Sequence, residues 1–386
     1  MLSPLTWDVR SAWLTKPRSN NNDDDIDDNA VDSLLIEKNG KPKAVRRVDQ
    51  MKQFEKALLL LERASIRPRY EKVVHRQLFS WEEDIPEACW PRAGGLKGDR
   101  AKRKRWQIEN MARAILPLAR PGCKIVEFCG GSGFLCLPLA ALLPSCTFIM
   151  VDMKERSVEI ARERLCASGM RNVEIILGRI ENAVDKIGKF DIGLSLHACG
   201  AATDIAMDIC LDADADYVMC PCCVGKINSA QVKGTYPRSD QFAGALNAER
   251  QLDFMYRSLA AAADYGGRNV TAYTSMERRR RTAKSLVESD RNARSHETKK
   301  YATMMYVMEP RDASPKNDVI VGVAPRSRAN LEEISRGVSD PTVEWLLQYE
   351  FDLLQNDPAT RKRRNQLPLD EGAPAIGMND LLSMCT

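Results

Sequence analysis

The chain has 386 residues, enough for a sizeable buried core and, by length alone, about two domains. Its 57 lysines and arginines stand against 53 acids, and a net charge of +4 is too near balance to mark the whole chain as a nucleic-acid or membrane binder. The longest nearly unbroken apolar run, Phe134–Leu143, is too short to span a bilayer, and no basic stretch leading into an apolar one opens the sequence. Twelve cysteines, several inside apolar segments (Cys136, Cys166, Cys210), then read as reduced thiols of a cytoplasmic or nuclear protein.

Residues 1–45 are polar, with Asn20–Asn22 leading into the acidic run Asp23–Asp28, and are expected to be disordered. Met51, Phe54, Leu58 and Leu61 recur at the spacing of an amphipathic helix, with Asp49 placed as its N-cap. Residues 67–98 hold Trp81, Pro86, Trp90, Pro91 and Gly94-Gly95 and read as irregular; the two indoles either pack on the core or stack a base. Together 46–98 form an N-terminal extension. From Asp99 a second helix follows, with Ile108, Met111, Ile115 and Leu116 on one face. The basic run Arg100–Arg105 lies near its N-terminus, where positive charge opposes the helix dipole unless an anionic partner or solvent takes it up.

The core alternates. Strands are expected at 124–129, 147–152, 173–177, 190–196 and 216–221, helices at 133–143, 156–168 and 202–211, and a short crossover near 179–187. Such alternation makes a parallel sheet covered by helices on both faces, ordered 3-2-1-4-5 from one edge. A long helical segment at about 240–264 precedes two strands, 302–308 and 318–323, that close the sheet as an antiparallel hairpin. Segment 269–275 also reads locally as a strand. The core domain thus occupies 99–325, and 326–386 form an extension with one apolar helix near 341–354.

Strand 1 ends in Glu127, turns through Cys129-Gly130-Gly131-Ser132-Gly133 and restarts as a helix, while strand 2 ends in Asp152. Glycines bring backbone close to a ligand, and an acid about 20 residues further on is placed to hold ribose hydroxyls. A dinucleotide turn requires a third glycine, but Cys136 stands there. Glu127 would also repel a pyrophosphate while accepting hydrogen bonds from an ammonium group. The pattern E-x-x-x-G-x-G resembles motif I of the Rossmann-like S-adenosylmethionine-dependent methyltransferases, with Cys129 in place of the usual first glycine. The resemblance implies a class I methyltransferase fold with a mainly parallel seven-stranded sheet and S-adenosyl-L-methionine as cofactor. Glu127 would then face the amino group, Asp152 the ribose, Gly131 and Gly133 the underside, and Arg179 and Ile180 the adenine.

A second constellation ends strands 4 and 5: His197-Ala198-Cys199-Gly200 and Pro221-Cys222-Cys223. In a doubly wound sheet these C-terminal ends open on one crevice. The side chains shape the acceptor pocket, bind zinc, or are buried thiols and a satisfied histidine. Adjacent Cys222 and Cys223 lack the C-x-x-C spacing of common zinc sites, so no metal is assigned. Methyl transfer to a ribose hydroxyl needs a general base, and His197, which titrates near neutrality when unperturbed, is the candidate, with Cys222 and Cys223 beside it as further catalytic candidates. Asp204 either orients it or caps the next helix.

His197-x-Cys199-Gly200, Thr203-Asp204 and Pro221-Cys222-Cys223 resemble the methyltransferase domain of the glutathione S-transferase C-terminal-domain-containing family. Gly94–Arg105, Leu286–Arg291 and Ser314–Asp318 extend the resemblance over about 94–325. A tRNA 2′-O-ribose methyltransferase family is similar in the same motifs, which implies RNA as the acceptor; Arg278–Arg281 would add phosphate contacts. Asn-Pro-Pro-Tyr, the usual mark of exocyclic amine methylation, does not occur. The alternatives are a non-catalytic scaffold of the same fold and a methyltransferase acting on protein or small molecules. No membrane partner is expected.

Overall fold

The computed structural model describes residues 43–71, 78–228, 235–246, 252–264 and 275–327. Helix α1 (Lys43–Arg63) comes first, then α2 (Gly98–Leu118) after an irregular stretch with a short turn at Trp81–Asp84. The alternating core is β1 (Lys124–Phe128), α3 (Cys136–Leu142), β2 (Thr147–Asp152), α4 (Glu155–Ser168), β3 (Val173–Leu177), α5 (Ile180–Ile187), β4 (Ile192–Leu196), α6 (Ala201–Asp212) and β5 (Asp216–Cys220). Helices α7 (Asp240–Leu246), α8 (Leu252–Ala263) and α9 (Ser275–Lys299) then lead to the hairpin of β6 (Ala302–Val307) and β7 (Asp318–Val323). The seven strands are ordered β3-β2-β1-β4-β5-β7-β6; the first five run parallel and β7 is antiparallel to both neighbours.

Successive side chains of a strand point to opposite faces, and this period sorts the core. Ile125, Phe148, Met150, Leu194 and Val218 pack against α2 and α3 on one face, with Ile108, Met111, Ile115 and Leu137. Val126, Phe128, Ile149, Val151, Tyr217 and Met219 face the other way, against Ile180, Ile205 and Ile209. Glu127 pairs in register with Met150, and Asp152 follows two residues later, so both acids belong to the α2–α3 face at the strand ends. A third core joins α1 (Phe54, Ala57, Leu61), α7 (Phe242), α8 (Met255, Tyr256, Leu259) and α9 (Leu286, Val287).

Two expectations change, and one long helix is new. Asp49 is interior to α1, which begins at Lys43: the lysines and arginines before it continue a helix readily and no cap is needed there. The segment at 240–264 is two helices. Long α9 is hidden in sequence because its buried side includes Lys284, Glu288, Asp290 and Arg291. The strand expected at 269–275 ends where α9 begins and otherwise lies outside the described residues, as do residues 1–42 and the helix near 341–354. No helix among the described residues is long and apolar enough to cross a membrane.

Candidate active site

The glycine turn follows β1 directly. Gly131 and Gly133 have φ of +57° and +72°, and Cys129, at +59°, holds a conformation that strains a side-chain-bearing residue. A Cβ on Gly131 would meet nothing within 4 Å, so the turn carries an open ledge. Gly130, which the sequence reading does not single out, has no such freedom: a Cβ there would collide with Met150 and crowd Glu127 Oε2.

Glu127 is 1% exposed. Its Oε2 accepts the Cys136 N–H at 2.9 Å and so caps α3. Burial pushes the carboxyl up to about 8, against the Cys136 bond and the positive charge of Lys104. Asp152 Oδ2 accepts from the Gly131 N–H (2.8 Å) and Oδ1 from the Lys154 N–H (2.8 Å), which ties β2 to the glycine turn. Each carboxylate oxygen has a second lone pair, so both remain competent to accept a ribose hydroxyl. Beyond β3 the residues divide. Arg179 is exposed and paired with Glu181 at 2.9 Å, and Ile180 is built into the core below α5. Glu181 is the residue of this stretch whose charge reaches Cys129.

His197 ends β4 with φ of +75° and prolongs the ladder through its N–H to the Cys220 carbonyl (2.9 Å). Its Nε2 lies 3.0 Å from Gln107 Oε1. Gln107 Nε2 donates to the Ala313 carbonyl at 2.7 Å, which orients the amide so that Oε1 accepts from the ring. Nε2 therefore carries the proton and Nδ1 the lone pair. An imidazole titrating near neutrality is not what the fold provides: burial, with Lys104 and Lys284, pushes it down to about 3, so the ring stays neutral. Asp204 does not touch it. Arg291 donates to both Asp204 oxygens (2.9 and 3.1 Å), tying α6 to α9, and α6 has no side-chain cap.

Cys199, Cys222 and Cys223 do converge, their sulfurs all within 4.8 Å of one another. Cys199 Sγ and Cys222 Sγ are 3.0 Å apart, a hydrogen bond in which either thiol can donate. The hydrogen bond from Cys222, against burial and with help from Lys226, lowers Cys199 to about 6; Cys222 moves up in return.

Three contributors escape the sequence reading. Lys104, counted there in a basic run, turns inward, and burial lowers it to about 8, against the negative charges of Cys220, Glu127 and Cys222. Gln107 comes from the same helix. Arg164 of α4 donates to Ser132 O, Ala88 O, Cys89 O and Trp90 O, fastening the irregular stretch to the glycine turn. The basic clusters also divide. Arg105 lies over the Trp81 and Trp90 rings (4.9 and 4.7 Å) and pairs with Glu82, so both indoles serve packing. Arg281 binds Asp318 and Arg279 binds Glu55, leaving that cluster engaged within the fold.

A mainly parallel sheet of this order, with an open glycine ledge between two strand-terminal acids, is a Rossmann-like α/β fold with its candidate ligand site at the C-terminal ends of the strands. Residues 103–230 match a family model described as a methyltransferase domain. The chain is similar to the glutathione S-transferase C-terminal domain-containing protein of Xenopus laevis, 38% identical over 247 residues, 63% of this chain and 38% of that one. It is likewise similar to the Homo sapiens protein of the same name, 37% identical over 242 residues, 62% and 36% of the two chains. It therefore spans less than half the length of these relatives. Among solved structures, a putative caffeoyl-CoA O-methyltransferase from Staphylococcus aureus aligns over 63% of this chain and 95% of its own at 11% identity, with a TM-score of 0.34.

Proposed function

We propose that the chain transfers a methyl group from S-adenosylmethionine to an RNA acceptor. The observation that carries the cofactor half is the buried Glu127 carboxyl beside the open ledge at Gly131. A carboxyl kept neutral by burial becomes a strong acceptor when a cationic amine arrives and replaces its proton. In this reading Glu127 receives the amino group, Asp152 the ribose hydroxyls, and Gly131 and Gly133 let the backbone approach; Ile180 lines the base side through its backbone. Bound there, the cofactor would supply an electrophilic methyl on a sulfonium. The chain's own task is to orient the acceptor in line and exclude water. His197, neutral and protonated on Nε2, offers Nδ1 as an acceptor that positions an incoming hydroxyl or amine. Cys222 and Cys223 wall the same side.

The acceptor half rests on α2 and the stretch before it. Arg92, Lys97, Arg100, Lys102 and Arg103 are exposed, while Lys104 and Gln107 of the same helix turn into the site. A polyanion held by the outer cations would lie beside the methyl-transfer crevice.

Calorimetric titration of the purified chain with S-adenosylmethionine should give saturable binding that Asp152→Ala weakens about tenfold or more, as expected when charge-assisted hydrogen bonds worth ~1.5–3 kcal/mol each are lost. Folded wild-type protein that does not bind would sink the reading. For the acceptor, Arg100→Glu with Arg103→Glu should weaken tRNA binding and reduce the salt slope by about one for each phosphate no longer neutralised. An unchanged slope would remove RNA as the acceptor.

A further inference from the structure

The three thiols at the ends of β4 and β5 differ from the other buried cysteines. Cys136 and Cys210 stand singly in apolar core, where burial raises them well above an ordinary thiol. Cys199, Cys222 and Cys223 instead stand together, and among the described residues theirs is the one group of three potential metal ligands that converges so closely. Two strand ends thus bring three soft sulfur donors to one point, with Cys199 Sγ and Cys222 Sγ 3.0 Å apart.

The backbone holds the arrangement. The His197 N–H donates to Cys220 O and the Gly200 N–H to Cys223 O, both at 2.9 Å, so the β4 and β5 loops are pinned to each other on either side of the sulfurs. Gly200, with φ of +57°, lets Lys226 lie where a Cβ would be. Residues 221–223 are not part of β5, which frees the neighbouring side chains of Cys222 and Cys223 from pointing to opposite faces. Cys199 and Cys223 are half-buried, giving a route from solvent.

We propose that Cys199, Cys222 and Cys223 bind one thiophilic cation of the zinc class. Zinc–thiolate bonds of about 2.3 Å in tetrahedral geometry set sulfurs about 3.8 Å apart, within the 4.8 Å envelope seen here and reached by a small opening of the Cys199–Cys222 pair. Three thiolates and a divalent cation leave one negative charge, and Lys226 lies close enough to bear on it electrostatically. Binding releases the ligand thiol protons to solvent. Three protein ligands leave a fourth position for water or an acceptor atom, the arrangement of zinc sites that do chemistry rather than those that only brace a fold. The absence of C-x-x-C spacing is no obstacle, because two strand ends bring the ligands together instead of one short loop. The site does not depend on methyl transfer.

The test is anaerobic titration of the reduced full chain with cobalt(II), followed by absorption. The expected result is a thiolate-to-cobalt charge-transfer band that saturates at one equivalent, is displaced by one equivalent of zinc, and disappears in Cys199→Ser and in Cys223→Ser. Cys166→Ser, an exposed thiol on α4, should leave it intact. X-ray absorption of zinc-loaded wild-type protein should find three sulfurs at about 2.3 Å, a readout that needs no variant to fold. A folded wild-type chain with no such band, zinc held by nitrogen and oxygen alone, or a Cys199–Cys222 disulfide forming under saturating zinc would overturn the proposal.

Discussion

Beneath α9 and at the crevice beside the glycine turn the molecule buries charge in opposite ways. Under α9 a chain of charges meets its complements: Asp318 binds Arg281 and Lys284, Lys284 also binds Glu288, and Arg291 joins Glu288 to Asp204. Burial alone would raise Asp318, yet Arg281 and Lys284 hold it down to about 2, and Lys284 rises because Asp318 and Glu288 outweigh its burial. At the crevice burial wins. Glu127 goes up, and Lys104 and His197 go down, all toward the neutral form. The lesson is that the sign of the shift separates the two uses of buried charge. Compensated groups brace the fold, while groups left uncompensated at a crevice keep an unmet preference for an opposite charge. Asp290 marks the boundary of the rule: it lies in the α9 layer, yet burial moves it up against its hydrogen bonds to the neutral Ser239 and Tyr256.

The comparison breaks most visibly at Asp318. Asp318→Asn leaves Arg281 and Lys284 without their carboxylate in the interior and should destabilise the chain by about 3–5 kcal/mol in chemical denaturation. A loss near zero would mean that the network is dispensable. Because its folded pKa is depressed, the stability from wild-type Asp318 is present above the unfolded value of 3.8 and is lost as pH falls toward about 2.

Glu127→Gln should have the contrary character. It should weaken S-adenosylmethionine about 10- to 100-fold, the loss of one charge-assisted bond, while the ligand-free protein becomes more stable at alkaline pH. The sign follows from the raised pKa: stability tied to the protonated form is full below the unfolded value of 4.5 and lost as pH rises through about 8, a loss that glutamine does not suffer. Thermal melts at pH 6 and pH 9 read it directly. If glutamine is less stable at both, Glu127 belongs with the compensated group. Lys104→Met should act least. Without that positive charge the His197 ring, followed by NMR titration, should move upward by a fraction of a unit and still stay below a free imidazole, because burial is the larger cause. An unmoved His197 would detach Lys104 from the crevice.

Much of the fold is legible in sequence because period and punctuation are local. The expected strands at 147–152, 173–177 and 318–323 match the observed ones residue for residue, since apolar runs between turn residues declare themselves. The glycine turn with Glu127 and Asp152 is legible for the same reason. Lys104 and Gln107 were readable in principle: Lys104, Ile108, Met111 and Ile115 recur at helical spacing, and Gln107 lies beside them on the inward side. Their charge and polarity disguised the continuation of that buried stripe.

By itself the sequence determined the alternating sheet, the place of the turn and the presence of acids at the ends of β1 and β2, because those depend on neighbours a few residues apart. Only the tertiary structure decided which charges are answered. Arg281 lies 37 residues from Asp318 and Arg291 lies 87 from Asp204, and the three crevice thiols come from two different strand ends. A buried charge takes its energy from whatever lies within a few ångströms in space, and that neighbourhood exists only once distant segments have packed.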